Sequence, residues 1–145
     1  MRQSAGKRQN EGARANRAAD VVVLACAASA GAHAGLVPEH VRETPQLGAA
    51  FIVSVVLLLA AAAALALRPE SVRASQAAAL LLAGLIAAYA ASRSIGIPWL
   101  EARPEAFDAV GLTTKLVEGL GVVFALRLSR SLGGHRPPRP LEVTR

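Results

Sequence analysis

The chain has 145 residues, of which 53% are hydrophobic and 18% charged, with a formal net charge of +6. That length suits one domain, and a single cysteine, Cys26, rules out an intrachain disulfide. The basic excess lies in tails and loops beside apolar runs, which points to anionic lipid rather than nucleic acid as its counterpart.

Residues 1–17 are a basic tail rich in Arg, Gln, Asn and Gly, with the composition of a disordered segment. Four apolar runs follow, at about 18–37, 47–67, 74–92 and 106–128. A hydrocarbon core ~30 Å thick is crossed by a helix of about 20 residues, and each run reaches that length. The second run holds no ionisable residue at all, so it has no face to offer water. The chain therefore reads as all-α, a bundle of four transmembrane helices.

In the first run Cys26, Ser29, Ala30 and His33 share one helical face, while Gly31 and Gly35 form a GxxxG that favours close helix approach. Gly35 and Pro38 are expected to end this helix, leaving Glu39 and His40 in a loop. Arg14 and Arg17, the apolar stretch from Val21 and the triplet Ala32-His33-Ala34 also fit a cleavable signal peptide, which would leave three spans. Thr44 and Pro45 read as the N-cap and first position of the second helix. After the third run, Trp99 is placed as an interface anchor, with Gly96 and Pro98 bending the chain. Pro104 and Glu105 are expected to start the fourth helix and Gly133 and Gly134 to stop it; its membrane span ends near 128, and the basic, Pro-rich tail of 129–145 beyond the span is expected to be disordered from about residue 133.

Twelve of the 16 basic residues lie in the two tails, in the loop between the second and third runs, or at the last helix end. By the positive-inside rule both termini are cytoplasmic, in agreement with an even number of spans.

Buried polar groups are where a function would reside. On the fourth helix Asp108, Gly111, Lys115, Glu118 and Val122 recur at spacings of three and four and form one stripe. Counting ~1.5 Å per residue from Ala106 puts Lys115 roughly 14 Å and Glu118 roughly 18 Å deep. A charge there costs about 2.5 to 3.5 kcal/mol even on the lenient insertion scale, so the stripe should face the bundle interior. Glu118 then reads either as a proton or cation site tuned by Lys115, or as half of an ion pair that only fixes helix packing. His33, Glu39 and His40 offer three ligands for Zn²⁺ or Cu²⁺, with Asp108 completing the shell. The alternative is a histidine bonded across helices and a solvated loop. Arg93, at the outer end of the third helix, can snorkel to the interface or pair with Asp108 at similar depth.

The order His33, Pro38-Glu39-His40, Ser92-Arg93-Ser94-Ile95-Gly96-Ile97-Pro98 and Glu118 resembles a family of small four-span membrane proteins of high-GC bacteria, over about residues 18–128. The resemblance implies a four-span fold and a multi-pass location in the bacterial plasma membrane, but no reaction. Lys115 departs from the small or apolar residue expected at that place in the family.

Neither a nucleophile with its base nor a phosphate-binding loop is apparent, so no enzyme is expected. The leading reading is a small sensor or accessory subunit with an outward-facing site for a proton or a transition metal ion. A purely structural or assembly protein, and an oligomeric proton-coupled transporter, are the alternatives. Expected partners are the lipid bilayer and either further copies of the chain or another membrane protein.

Overall fold

A computed structural model describes residues 2–96 and 107–134, with side chains from Gly12 onward. Trp99 and the C-terminal tail from residue 135 lie outside the described residues. The described chain forms four helices: α1 (Arg2–Glu43), α2 (Pro45–Leu67), α3 (Val72–Ser94) and α4 (Ala109–Gly133). All four are long and apolar enough to cross a membrane, the architecture of a multi-pass membrane protein.

Three helix boundaries depart from expectation. Instead of starting near residue 18 and stopping at Gly35, α1 runs unbroken through Pro38 and is 42 residues long. The Arg, Gln, Ala and Glu of its first turns are good helix formers with no proline among them. Gly35 is not in the left-handed conformation a helix stop requires, since Gly96 alone among the described residues has a positive φ, of 70°. At the far end, α4 begins at Ala109 rather than at residue 106. Asp108 is its N-cap, accepting the Gly111 N–H at 2.6 Å, because a short carboxylate satisfies a free amide of the first turn.

The connections are short. Thr44 alone joins α1 to α2; it sits at the N-cap position, though its side chain makes no capping bond. The turn before α3 ends at Ser71, whose hydroxyl accepts the Ala74 N–H at 3.2 Å. Successive helices reverse direction; α1 packs along α2 and α4, α3 along α4 and more loosely along α2, and the backbones of α2 and α4 stay more than 8 Å apart on the diagonal.

The bundle is apolar outside. Leu24, Val53, Val56, Leu59, Leu80, Leu116 and Leu120 are all exposed, whereas Ser29, Ser75 and Glu118 are enclosed. In water this would be a large aggregating surface; in lipid it is the solvated face. The core between the helices is small-residue packing around Ala30, Ala62, Ala78 and Ala125, with Leu58, Leu65, Leu82 and Leu128 filling between. Ser75 Oγ donates to the Ala125 carbonyl at 2.6 Å and ties α3 to α4.

Close approach falls at glycines other than the GxxxG pair. A Cβ on Gly31 or Gly35 meets open space, because both face outward. At Gly121 a Cβ would lie 2.8 Å from Ala25 Cβ and 2.7 Å from Leu82 Cδ1, so that glycine lets α1 and α3 close on α4. At Gly48 it would lie 2.7 Å from Val41 Cα, at the tight α1–α2 corner. Backbone atoms cannot turn aside as a side chain can. Gly48→Ala is therefore expected to destabilise the bundle by about 1–3 kcal/mol, read as a lower thermal midpoint in detergent micelles, whereas Gly31→Ala leaves that midpoint within error.

Candidate functional site

The inward stripe of α4 meets the polar face of α1 in the middle of the bundle. Glu118 has no exposed surface. Its Oε2 accepts from Lys115 Nζ at 2.6 Å and its Oε1 from Ser29 Oγ at 2.6 Å, so one oxygen is held within α4 and the other by α1. Ser29 is the partner the sequence did not single out. Its place on the Cys26–His33 face was readable, but its register against Glu118 depends on how α1 and α4 pack at Gly121.

One turn along α1, His33 Nδ1 donates to the Ser29 carbonyl at 2.8 Å and lies 3.4 Å from Ser29 Oγ. Two turns further, His40 Nδ1 donates to the Leu36 carbonyl at 2.8 Å. A carbonyl oxygen only accepts, so both rings carry their hydrogen on Nδ1 and keep the Nε2 lone pair when neutral. Neither Nε2 has a hydrogen-bond partner among the described residues. The Phe51 ring of α2 lies against both imidazoles, 5.3 Å from His33 and 4.7 Å from His40 between centroids.

These side chains face a cleft of about 320 Å³ lined by all four helices, including His33 and His40 from α1, Phe51 from α2, Tyr89 and Arg93 from α3, and Lys115 from α4. At the rim Arg93 Nη2 lies 2.9 Å from Asp108 Oδ2, joining the end of α3 to the cap of α4. Asp108 is about half exposed, so the pair is worth at most about 1 kcal/mol and acts chiefly to register the two helices. Tyr89 lies between two cations, with Arg93 Cζ 4.9 Å and Lys115 Nζ 5.5 Å from its ring centroid. It reaches α4 because position 111 is glycine: a Cβ there would be 2.7 Å from the Tyr89 hydroxyl. That hydroxyl is enclosed and has no hydrogen-bond partner among the described residues.

The metal site expected from His33, Glu39, His40 and Asp108 does not assemble. Because α1 continues through Pro38, His40 stays on the face of His33, seven residues on, while Glu39 turns outward and is exposed. The backbone positions of the two histidines are two helical turns apart, ~10.5 Å along the axis, and their rings flank Phe51 with no third ligand beside them, whereas a Zn²⁺ site takes three or four ligands at about 2.0–2.1 Å. Asp108 is occupied by Gly111 and Arg93. Among the described residues no three His, Cys, Asp or Glu side chains come together to hold a metal ion. Cys26 is a buried free thiol packed in the core.

No protein-family profile matches the chain, and no curated protein and no solved structure matches it.

The ion pair has a measurable signature. Removing one member of an enclosed pair strands the other charge, so Lys115→Met or Glu118→Leu alone should cost about 3–5 kcal/mol, while the double variant should recover most of that loss in chemical or thermal unfolding. The Tyr89 hydroxyl predicts the opposite behaviour. Tyr89→Phe removes an unsatisfied polar group and should leave stability unchanged or raise it by about 1 kcal/mol, again read from unfolding midpoints.

Proposed function

We propose that this chain is a multi-pass protein of the bacterial plasma membrane, of the small four-span family it resembles, that works as a sensor or accessory subunit by taking up a proton at Glu118 from the outward-facing side. The supporting observation is the unbroken polar chain from the cleft to the enclosed carboxylate: His33, Ser29, Glu118, Lys115. A metal ion is not part of this reading, because no third ligand among the described residues joins the two imidazoles.

The chemistry follows from the hydrogen-bond directions. His33 takes a proton at Nε2 from the cleft, and its Nδ1 hydrogen, held by the Ser29 carbonyl at 2.8 Å with Ser29 Oγ 3.4 Å away, passes to Oγ. The neutral ring is left as the Nε2–H tautomer and returns to the Nδ1–H form by giving up that proton to the cleft and rebinding at Nδ1. Ser29 passes its own hydroxyl proton to Glu118 Oε1 along the 2.6 Å bond. One proton enters and one arrives, and the imidazole and hydroxyl end neutral. Neutralised Glu118 no longer balances Lys115, whose ammonium then has the face of Tyr89, 5.5 Å away, as its nearest compensating group. A charge left unpaired in so apolar a setting forces a rearrangement of the helices that carry it, which is what a sensor transmits.

A structural role shares the same ion pair, and infrared difference spectroscopy separates the two. Across an acid-to-alkaline titration of the protein in vesicles, the proton reading expects a protonated-carboxyl stretch that is lost in Glu118→Gln and slowed in Ser29→Ala. If the titrating band is the same in wild type and Glu118→Gln, the carboxylate serves packing alone and the proposal fails.

A further inference from the structure

We infer that the cleft between α2 and α4 is a binding site for a small apolar ring compound bearing hydroxyl groups, of the phenol or hydroquinone class, taken from the membrane. This rests on the membrane placement proposed above; the site shares His33 Nε2 with the proton path, and His40, which takes no part in that path, separates the two claims.

Three observations carry it. The cleft, about 320 Å³, has the size of a small-molecule pocket and is walled mainly by apolar groups, among them Leu36, Leu47, Phe51 and Leu85. All four helices line it, and α2 and α4, whose backbones stay more than 8 Å apart, face each other across it.

The polar inventory then selects the occupant. Both imidazoles spend their Nδ1 hydrogen on a carbonyl of their own helix, so the cleft presents two Nε2 acceptors without donors. The cations nearby are committed, Lys115 to Glu118 and Arg93 to Asp108, and do not call for an acid. An acyl chain would fill the volume and leave both acceptors unpaired in an apolar setting, at a cost that a hydroxyl donor removes. The Phe51 ring between the imidazoles offers a flat apolar surface against which an aromatic ring packs. The match is a flat apolar body with O–H groups at its edge. The interaction is binding alone, with no bond made or broken.

The test uses full-length protein in nanodiscs, kept anaerobic and reduced, with tetramethylhydroquinone as the probe and its dimethyl ether as the donor-free control. Equilibrium dialysis is expected to show saturable binding of the diol at one per chain, weakened about fivefold or more in the ether, in His33→Ala and in His40→Ala. The ether binding as tightly as the diol would show a cleft that accepts any apolar filler and would overturn the proposal. So would unsaturable uptake, or diol binding unchanged in His40→Ala. If His33→Ala does not fold, His40→Ala decides the matter alone, because that half-buried residue stands away from the Ser29–Glu118 bond. His40→Ala also leaves the infrared signal of Glu118 intact, so loss of diol binding and loss of the carboxyl band report on separate claims.

Discussion

The interaction on which the rest of the structure depends is the enclosure of one carboxylate. Glu118 lies where neither water nor lipid can solvate it, and both of its oxygens must therefore be met by protein donors. Lys115 meets one from the same helix, but the other is met only when α1 brings Ser29 to it, which makes the α1–α4 register a condition of stability. The close approach at Gly121 and the small side chains along the core make that register reachable. Polar chemistry inside and hydrocarbon outside are thus consequences of the same solvent, in which apolar faces need no partner and a polar group needs every one.

The four spans were legible because the signal for them is one-dimensional: length and apolarity along the chain, with an ion-free second run as its clearest case. The inward stripe on α4 was legible for the same reason, since a helix of known pitch fixes which residues share a face. What the sequence could not carry was anything that depends on two helices at once. Ser29 has no local signature as a partner of Glu118, and Gly121 looks no different from Gly31 or Gly35 until the neighbouring helix is in place. Tyr89 is a similar case: its fit against α4 requires glycine at 111, a pairing across two helices.

The expectation that failed did so for an instructive reason. Gly35 and Pro38 carry the standard marks of a helix stop, yet α1 runs on through both to Glu43. In a membrane helix the alternative to helical hydrogen bonding is no hydrogen bonding at all, so the backbone tolerates a proline that would end a helix in water. The continuation keeps the two histidines on one face and sends Glu39 away from them, which replaces a clustered ligand set with two separated acceptors.

The 42 residues of α1 give it a length of roughly 63 Å, about twice the thickness of the bilayer's hydrocarbon. The same rigid rod that holds Ser29 and His33 also protrudes several turns past the lipid. Any force that twists or tilts the protruding stem moves both residues against the acid on α4, so the stem is a mechanical handle on the buried Ser29–Glu118 bond, reached without entering the membrane.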